Sequence, residues 1–388
     1  MSERGPWSGR RLHFVGVGGA GMSGYARAAH ALGAEVSGSD RADSPYLERL
    51  RAEGVLEARI GHAPENVPEG AGVEVIYSSA IPAENPEREA ARTRGLPELP
   101  RAELLVELSG LRRTIAVAGT HGKTTTSSML AQILRAAGLR PSWLVGGTIG
   151  AGLANAEWDT GEWLVVEADE SDRSMLSLNV EIGVLTNVEL DHHATYGSLQ
   201  ELREAFAEFL ARAGQVIVDY APEDVRLDRG GSRFAWRGWE VRLRVPGGHN
   251  AVNAVGALEA ARLAGVGEER AIEALAAFGG AGRRFERLGR TAAGAEVVED
   301  YAHHPTEVAA TLRAARTLQP DRLVGVFQPH LYSRTALLGR ELGEALALAD
   351  VVVVLDVYPA RERAEDYPGV SGLLVAEAAA EAAGGRPV

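Results

Sequence analysis

The segment "AVAGTHGKTTTSSML", residues 116–130, has residue types and spacing suited to binding an anion. A strand-like run ends at Ala118, a tight loop with Gly119 and Gly122 follows, and a helical stretch begins at Thr124. Backbone N–H groups at a helix N-terminus point away from the helix, and the helix dipole makes that end positive. The pattern therefore predicts a phosphate-binding loop.

Lys123, within this loop, is the only lysine among the 40 Lys and Arg residues of the chain. Arginine satisfies any position that needs only positive charge, whereas a compact ammonium suits a close-fitting phosphate site. The isolated lysine therefore predicts a direct phosphate contact, and the Thr124 hydroxyl is placed to bind Mg²⁺. The predicted phosphate-binding residues are Gly119, Thr120, His121, Gly122, Lys123, Thr124 and Thr125.

A second glycine loop, "VGVGGAG", lies near the N-terminus between a predicted strand and a predicted helix. Gly16, Gly18 and Gly21 form a G-x-G-x-x-G pattern, and Asp40 follows the next strand. This pattern is typical of pyrophosphate binding on a Rossmann-like domain, and alone it does not distinguish a dinucleotide from another diphosphate. Two phosphate loops favour an ATP-driven enzyme acting on a nucleotide-linked substrate. The alternative, an NAD-dependent dehydrogenase, leaves Lys123 unexplained.

Carboxylates and histidines follow two further predicted strands. "WLVVEADESDRS" contains Glu167 and Glu170, and "IGVLTNVELDHHATYGS" contains Asp191 and His192. Oxygen ligands at strand ends near a phosphate loop suit Mg²⁺, which bridges phosphates. A nearby histidine is suited to bind a second ion or to orient the γ-phosphate.

Composition limits the classes of protein to consider. The chain has 388 residues, 45% of them hydrophobic, which is enough for two or three domains. The net charge of −13 argues against a nucleic-acid-binding surface. We see no signal peptide or apolar run of transmembrane length, so we expect no membrane insertion. The absence of cysteine excludes thiol chemistry and fits a cytoplasmic protein.

Strand-like runs alternate with helical stretches along the chain, which predicts an α/β fold with mostly parallel sheets. Two segments mark boundaries: the proline-containing "GLPELPRAELLVELSGL" and the glycine-rich "AFGGAGRRFERLG". We therefore predict three domains, residues 1–108, 109–279 and 280–388.

Seven motifs occur in one order: "GTHGKTTT", "EADESDRS", "TNVELDHHATYG", "PGGHNAVNA", "RRFERLG", "DYAHHPTEV" and "FQPHLYSRT". Together they closely resemble the Mur ligases of bacterial cell-wall synthesis. "VGVGGAGMSG" and "SSAIPAENPE" resemble the branch whose first domain holds UDP-N-acetylmuramate. The resemblance implies a Rossmann-like N-terminal domain, a P-loop ATPase domain and a Rossmann-like C-terminal domain that brings the amino acid. We expect this third domain to be shortened, because family members continue beyond "AAGGRPV".

The resemblance also implies the reaction, which is ATP-dependent amide formation in peptidoglycan precursor synthesis. The lactyl carboxylate of UDP-N-acetylmuramate attacks the γ-phosphate to give an acyl phosphate, and the amine of L-alanine then attacks the carbonyl. ATP and Mg²⁺ are the implied cofactors, and the oligomeric state is not predicted. Two alternatives remain: a ligase that adds a recycled tripeptide to the same sugar, and a degenerate homologue without activity. The second alternative arises because Ala194 and Leu331 stand where the family usually carries Asp and Arg.

Site residues are carried over from the family motifs. The catalytic candidates are Lys123, His192, Arg283, His303 and His304. The candidates for ATP beyond the phosphate loop are His249, Asn250 and Asp300. The candidates for UDP-N-acetylmuramate or L-alanine are Gly16, Gly18, Gly19, Gly21, Asp40, Ser79, His330 and Arg334. The candidate metal ligands are Thr124, Glu167 and His192, with Glu170 as the competing acid.

A modified lysine is not expected in the metal site. Several related ligases place a CO₂-modified lysine beside the second metal, but the single lysine of this chain already lies in the phosphate loop.

Overall fold

The computed structural model describes residues 5–150, 152–360 and 362–385. The chain divides into two compact units. The first contains the described residues up to Ala118, together with 134–185 and 205–216. The second contains 119–133, 186–204 and the described residues from 217 onward. This division has two units, and the three domains proposed from the sequence remain a prediction.

The first glycine loop belongs to a five-stranded parallel sheet in the first unit. Its strands are β1 (Arg11–Val15), β2 (Glu35–Asp40), β3 (Arg59–Ile60), β4 (Val73–Tyr77) and β5 (Glu98–Pro100). Their order is β3-β2-β1-β4-β5, and all the neighbours are parallel. The accompanying helices are α1 (Ala20–Ala31), α2 (Pro45–Ala52), α3 (Pro86–Thr93) and α4 (Arg101–Gly110). The glycine loop follows β1, the central strand, as in Rossmann-type sheets.

A six-stranded sheet carries the second glycine loop. Its strands are β6 (Arg113–Ala118), β7 (Ser142–Leu144), β8 (Ala156–Glu157), β9 (Trp163–Glu167), β10 (Ile182–Leu185) and β11 (Gln215–Ile217), in the order β11-β10-β6-β9-β7-β8. The helices of this region are α5 (Lys123–Ala136) and α6 (Leu199–Ala211). Strand β6 is parallel to both of its neighbours, and its residues 115–118 are completely buried. Burial on both faces explains why these four residues form an uninterrupted apolar run.

The second unit contains the remaining elements. Strands β12 (Glu223–Asp228), β13 (Gly231–Trp236) and β14 (Trp239–Leu243) form an antiparallel sheet, followed by α7 (Gly248–Leu263) and α8 (Glu268–Ala276). Strands β15 (Glu286–Arg290) and β16 (Glu296–Glu299) form an antiparallel hairpin. The last elements are α9 (Pro305–Thr317), β17 (Val324–Phe327), α10 (Tyr332–Leu346), β18 (Val351–Val354) and α11 (Gly372–Ala383).

Strands β17 and β18 are parallel and share an apolar core with the helices around them. Phe327, Leu342 and Val375 are buried in this core. The α/β class with parallel sheets, predicted from the sequence, is confirmed. Among the described residues, no helix combines the length and the apolar character needed to cross a bilayer.

Candidate active site

The phosphate loop joins β6 to α5, and its shape depends on two glycines. Gly119 and Gly122 have φ angles of 128° and 84°, which residues with a side chain rarely adopt. A Cβ atom at Gly119 would lie 2.1 Å from Thr186 Oγ1. The Lys123 ammonium donates to the carbonyl oxygens of Gly119 (2.5 Å) and Thr120 (3.3 Å). The loop thus carries its positive charge at the start of α5.

One segment, residues 186–189, holds the phosphate loop by hydrogen bonds. Thr120 Oγ1 donates to the carbonyl of Glu189 (2.8 Å) and accepts from its N–H (3.0 Å). The N–H of His121 donates to Asn187 Oδ1 (3.0 Å). The carbonyl of His121 accepts from Thr186 Oγ1 (2.5 Å) and Asn187 Nδ2 (2.9 Å). These contacts fix the shape of the loop.

A cavity of about 240 Å³ in the second unit adjoins this loop. Its apolar wall includes Val245, Phe278, Ala281 and Phe285. The predicted ATP-binding residues that line it are His121, Gly122, Thr125, His249, Asn250 and Asp300. A concave apolar site with a few convergent polar groups is typical of ligand pockets. The fold therefore gathers residues that are far apart in the sequence into one cavity.

Two adjacent arginines near the start of the predicted third domain have different environments. Arg284 lines the cavity, and its Nη1 lies 3.7 Å from Glu307 Oε1. Arg283, the predicted catalytic arginine, is exposed, and its guanidinium lies 4.2 Å from the centre of the Tyr301 ring. The sequence pair does not reveal which arginine turns inward, and the structure makes Arg284 the better placed to meet a ligand in the cavity.

Asp300 follows β16 and also lines the cavity. Its Oδ2 accepts from the N–H of Phe285 (2.9 Å), and its Oδ1 accepts from the N–H of Ala302 (2.8 Å). Burial raises the pKa of the Asp300 carboxyl, although the nearby Arg284 charge opposes this shift. The two backbone bonds hold the carboxyl group in place at the cavity wall.

His303 and His304 lie at the beginning of α9. His304 is the N-cap of that helix, and Glu307 accepts from the N–H groups of both histidines. His303 Nδ1 lies 2.8 Å from the carbonyl of Tyr301, so this nitrogen carries the proton. Burial lowers the pKa of both imidazoles, which favours their neutral form. Burial raises the pKa of Glu307, but its hydrogen bond with His121 helps to hold the value well below normal.

A buried ion pair between Asp191 and Arg334 lies among three predicted histidines of the second unit, His192, His303 and His330. Arg334 binds Asp191 with two parallel contacts, Nε to Oδ1 (3.2 Å) and Nη2 to Oδ2 (3.1 Å). His192 Nε2 and His303 Nε2 each lie 3.9 Å from Asp191 Oδ2, and His330 Nδ1 lies 3.2 Å from Arg334 Nη1. Burial raises the pKa of Asp191, but Arg334 and His192 bring it well below its usual range. Asp191 therefore organises three predicted site residues.

The predicted metal ligands are oxygen-rich, as Mg²⁺ requires. Thr124 is buried in the first turn of α5, in the second unit. Glu167 ends β9, in the first unit, and its Oε1 accepts from the N–H of Gly146 (2.5 Å). Glu170 is buried and Asp169 pairs with Arg101 at 3.1 Å. Oxygen donors of this kind suit Mg²⁺, and the membership of the metal site remains a prediction.

The first glycine loop has a different set of contacts. Gly16 has a φ of 79°, and its N–H donates to the carbonyl of Ser39 (2.8 Å). Asp40 Oδ2 accepts from the N–H of Gly18 (2.7 Å), and Ser44 Oγ donates to the carbonyl of Gly18 (2.9 Å). Asp40, a predicted substrate-binding residue, thus braces the loop in this structure. Gly19 is the N-cap of α1, Gly21 lies in its first turn, and Ser79 is exposed in the turn after β4.

Models of one protein family match three stretches of the chain. Residues 11–113 match the Mur ligase family, catalytic domain. Residues 117–219 match the Mur ligase middle domain, and residues 283–384 match the Mur ligase, glutamate ligase domain. The chain belongs to the Mur ligase family.

Individual relatives refine this membership. The UDP-N-acetylmuramate–L-alanine ligase of Kineococcus radiotolerans is 46% identical, over 95% of this chain and 85% of its own length. The enzyme of the same name from Chlorobaculum tepidum is 42% identical, with the same two coverages. The crystal structure of UDP-N-acetylmuramate-alanine ligase from Thermotoga maritima has a TM-score of 0.81 at 28% identity, covering 96% of this chain and 88% of its own. A murein peptide ligase from Psychrobacter arcticus, at 24% identity and a TM-score of 0.75, shares the fold, covering 98% of this chain and 90% of its own.

Glu87 of this Mur ligase is a supporting residue that the sequence did not reveal. It is completely buried and accepts from Ser39 Oγ (2.7 Å) and Asn66 Nδ2 (2.8 Å), with His13 Nε2 at 3.0 Å. Burial raises its pKa, but the bonds from His13, Asn66 and Ser39 bring it to about 2. Because the carbonyl of Ser39 accepts from Gly16, this network underlies the first glycine loop.

Proposed function

We infer that this Mur ligase joins L-alanine to the lactyl carboxylate of UDP-N-acetylmuramate, with consumption of ATP, in peptidoglycan precursor synthesis. The observation that carries the inference is the phosphate loop with its single lysine, next to a cavity that contains His121, Asn250 and Asp300. The substrates are inferred from two UDP-N-acetylmuramate–L-alanine ligases that are 42–46% identical to this chain over 95% of its length.

ATP binding is assigned to the second unit. Lys123 and the loop amides are positioned to hold phosphates, and the cavity side chains Asn250 and Asp300 to meet the nucleoside. When bound, ATP supplies the phosphoryl group that converts the carboxylate into an acyl phosphate. Mg²⁺ would neutralise the phosphate charge, and the ligands predicted for it in the second unit are Thr124 and His192. The preformed loop supports this assignment, because preorganised donors stabilise charge that develops in a transition state.

L-Alanine binding is assigned to the residues around Asp191. The two contacts with Asp191 fix the orientation of the Arg334 guanidinium. Its remaining nitrogen, Nη1, lies 3.2 Å from His330 Nδ1. A guanidinium held in this way suits a carboxylate ligand. His303 is neutral, with its Nδ1 proton engaged by Tyr301, so its Nε2 lone pair suits a role as proton acceptor from the alanine ammonium.

UDP-N-acetylmuramate binding is assigned to the first unit. The glycine loop Gly16–Gly21 presents the start of α1 to a diphosphate, and Asp40 and Ser79 lie on neighbouring segments of the same sheet. Because Gly18 has no Cβ atom, its N–H can reach Asp40 Oδ2; a Cβ there would lie 2.9 Å from the same oxygen. A cytoplasmic location, where ATP is available, is part of this proposal.

One assay tests the function. The purified chain, ATP and Mg²⁺ are incubated with UDP-N-acetylmuramate and either L-alanine or the recycled tripeptide, and phosphate release and product mass are measured. We expect phosphate release and an alanine adduct only when UDP-N-acetylmuramate and L-alanine are both present. Preference for the tripeptide would identify a recycling ligase, and the lack of turnover with either acceptor would indicate a degenerate homologue.

A further inference from the structure

A cluster of two histidines and one glutamate lies beside the phosphate loop and contains none of the residues predicted to bind Mg²⁺. His121 comes from the loop, Glu189 from the segment after β10, and His304 from the N-cap of α9. One ligand atom from each lies within 4.8 Å of the other two. His121 Nε2 lies 3.3 Å from Glu189 Oε2, which lies 3.6 Å from His304 Nδ1. Ligands of a tetrahedral zinc ion, each about 2.0–2.1 Å from the metal, are separated by about 3.3 Å.

The surrounding contacts orient these atoms toward one another. His121 Nδ1 lies 3.2 Å from Glu307 Oε1 and donates to it, and Nε2, which lies 3.3 Å from Glu189 Oε2, is the nitrogen that can bind an ion once its proton is lost. His304 Nδ1 accepts a long hydrogen bond (3.4 Å) from the N–H of Thr306, so its lone pair lies on this nitrogen, and a bound ion would replace that bond. Thr306 Oγ1 donates to Glu189 Oε2 (2.5 Å). A carboxylate that accepts from the second nitrogen of a histidine is the usual outer partner of a metal-binding imidazole.

We propose that His121, Glu189 and His304 bind one borderline-soft divalent ion of the Zn²⁺ class, at a site distinct from the Mg²⁺ site. Two imidazole nitrogens and one carboxylate oxygen suit Zn²⁺, whereas Mg²⁺ prefers oxygen ligands and keeps several waters. The three protein ligands leave a fourth position open. Because His121 belongs to the phosphate loop and His304 begins α9, the bound ion links these two segments.

Co²⁺ is a suitable probe, because tetrahedral Co²⁺ absorbs visible light and replaces Zn²⁺ in His and carboxylate sites. The metal-stripped full chain is titrated with Co²⁺ in excess Mg²⁺ and without nucleotide. We expect one equivalent of tetrahedral Co²⁺, displaced by Zn²⁺. Glu189→Gln and His304→Ala should each weaken binding at least ~100-fold, and Glu307→Gln about 10-fold, the scale for losing an outer partner.

Two histidine variants serve as controls. His30→Ala removes an exposed histidine of α1, and His192→Ala removes a predicted Mg²⁺ ligand. Both should keep the Co²⁺ spectrum and affinity of the parent chain. Circular dichroism checks that His304→Ala folds despite the loss of its N-cap, and if it does not, Glu189→Gln and His121→Ala decide. The proposal is overturned if the parent chain binds no Co²⁺ in excess Mg²⁺. It is also overturned if binding survives Glu189→Gln, or is lost in His192→Ala.

Discussion

The two glycine loops of this Mur ligase share a local shape and differ in the charge that completes them. Each follows a buried central strand, β1 or β6, and each precedes a helix, α1 or α5. In the phosphate loop, the Lys123 ammonium donates to the loop carbonyls. In the first loop, the Asp40 carboxylate accepts from the N–H of Gly18. One loop is therefore completed by a cation and the other by an anion.

This difference matches the two roles proposed for the loops. Transfer of a γ-phosphate redistributes charge between the phosphoryl group and the leaving oxygen, so a preorganised cation acts mainly on the transition state. A diphosphate that only anchors a substrate does not change during the reaction, and backbone N–H groups at a helix N-terminus are sufficient to hold it. Changes in the phosphate loop should therefore affect turnover, and changes in the first loop should affect substrate affinity and stability.

Replacement of Lys123 by arginine should have the largest effect. The guanidinium is wider and planar, so it either displaces the loop or misses the γ-phosphate. We expect Lys123→Arg to fold normally, to retain UDP-N-acetylmuramate binding, and to lose at least ~100-fold in kcat, the scale for losing one preorganised electrostatic donor. Steady-state kinetics and calorimetry measure the two properties.

Arg135→Lys is a matched control, because Arg135 is an exposed basic residue in the last turn of the same helix. It should leave kcat unchanged. A Lys123→Arg enzyme within a few-fold of the parent would mean that Lys123 does not contact the γ-phosphate, and the distinction between the two loops would fail.

Glu87→Gln tests the support of the first loop. The amide presents a donor where the carboxylate accepted from Ser39, Asn66 and His13, so the free energy of unfolding should fall by about 2 kcal/mol, as for hydrogen bonds to a charged group. Because the pKa of Glu87 is lowered to about 2, its contribution is present above its ordinary pKa and is lost as the pH falls toward 2. The difference between parent and variant in urea unfolding should therefore shrink between about pH 5 and pH 2.

Glu65→Gln, at an exposed position, provides the control and should leave the unfolding free energy unchanged. Equal stability of Glu87→Gln and the parent chain at neutral pH would show that the network beneath the first loop contributes nothing.

The contrast between the loops also shows what the sequence could predict. Strand, glycines, Lys123 and helix are contiguous, so their local geometry can be read from their order, and the α/β class follows from the alternation of elements. Pairs joined only by the tertiary fold leave no such signal: Asp191 and Arg334 are 143 residues apart, and His13 and Glu87 are 74 apart. The orientation of Arg284 rather than Arg283 into the cavity depends on backbone geometry at one turn, where Arg283 has a φ of 60°.

Gly18→Ala should have a moderate effect, confined to UDP-N-acetylmuramate binding. The new Cβ atom would lie 2.9 Å from Asp40 Oδ2 and 3.0 Å from Ser44 Oγ, so Asp40 must move away from the loop. Overpacking of this kind costs about 1–3 kcal/mol, which corresponds to a loss of roughly 5-fold to 150-fold in affinity where the cost falls on the bound state. Calorimetry should show this loss, while kcat at saturating substrate stays near the parent value. Gly267→Ala, where a Cβ meets open space, should bind normally. Normal binding by Gly18→Ala would place the diphosphate elsewhere.

Bicarbonate should leave turnover unchanged. This result would distinguish the chain from Mur ligases that carry a CO₂-modified lysine. A carbamate forms on an uncharged amine, but the only lysine here lies in the phosphate loop and bonds two of its carbonyls as an ammonium donor. The negative charge of a carbamate at that position would repel both the carbonyls and the phosphates. We expect equal turnover in buffers depleted of CO₂ and supplemented with bicarbonate, at one fixed pH. Loss of activity on depletion, restored by bicarbonate, would show that Lys123 acts through the metal site. The Lys123 ammonium would then not be what distinguishes the phosphate loop from the first glycine loop.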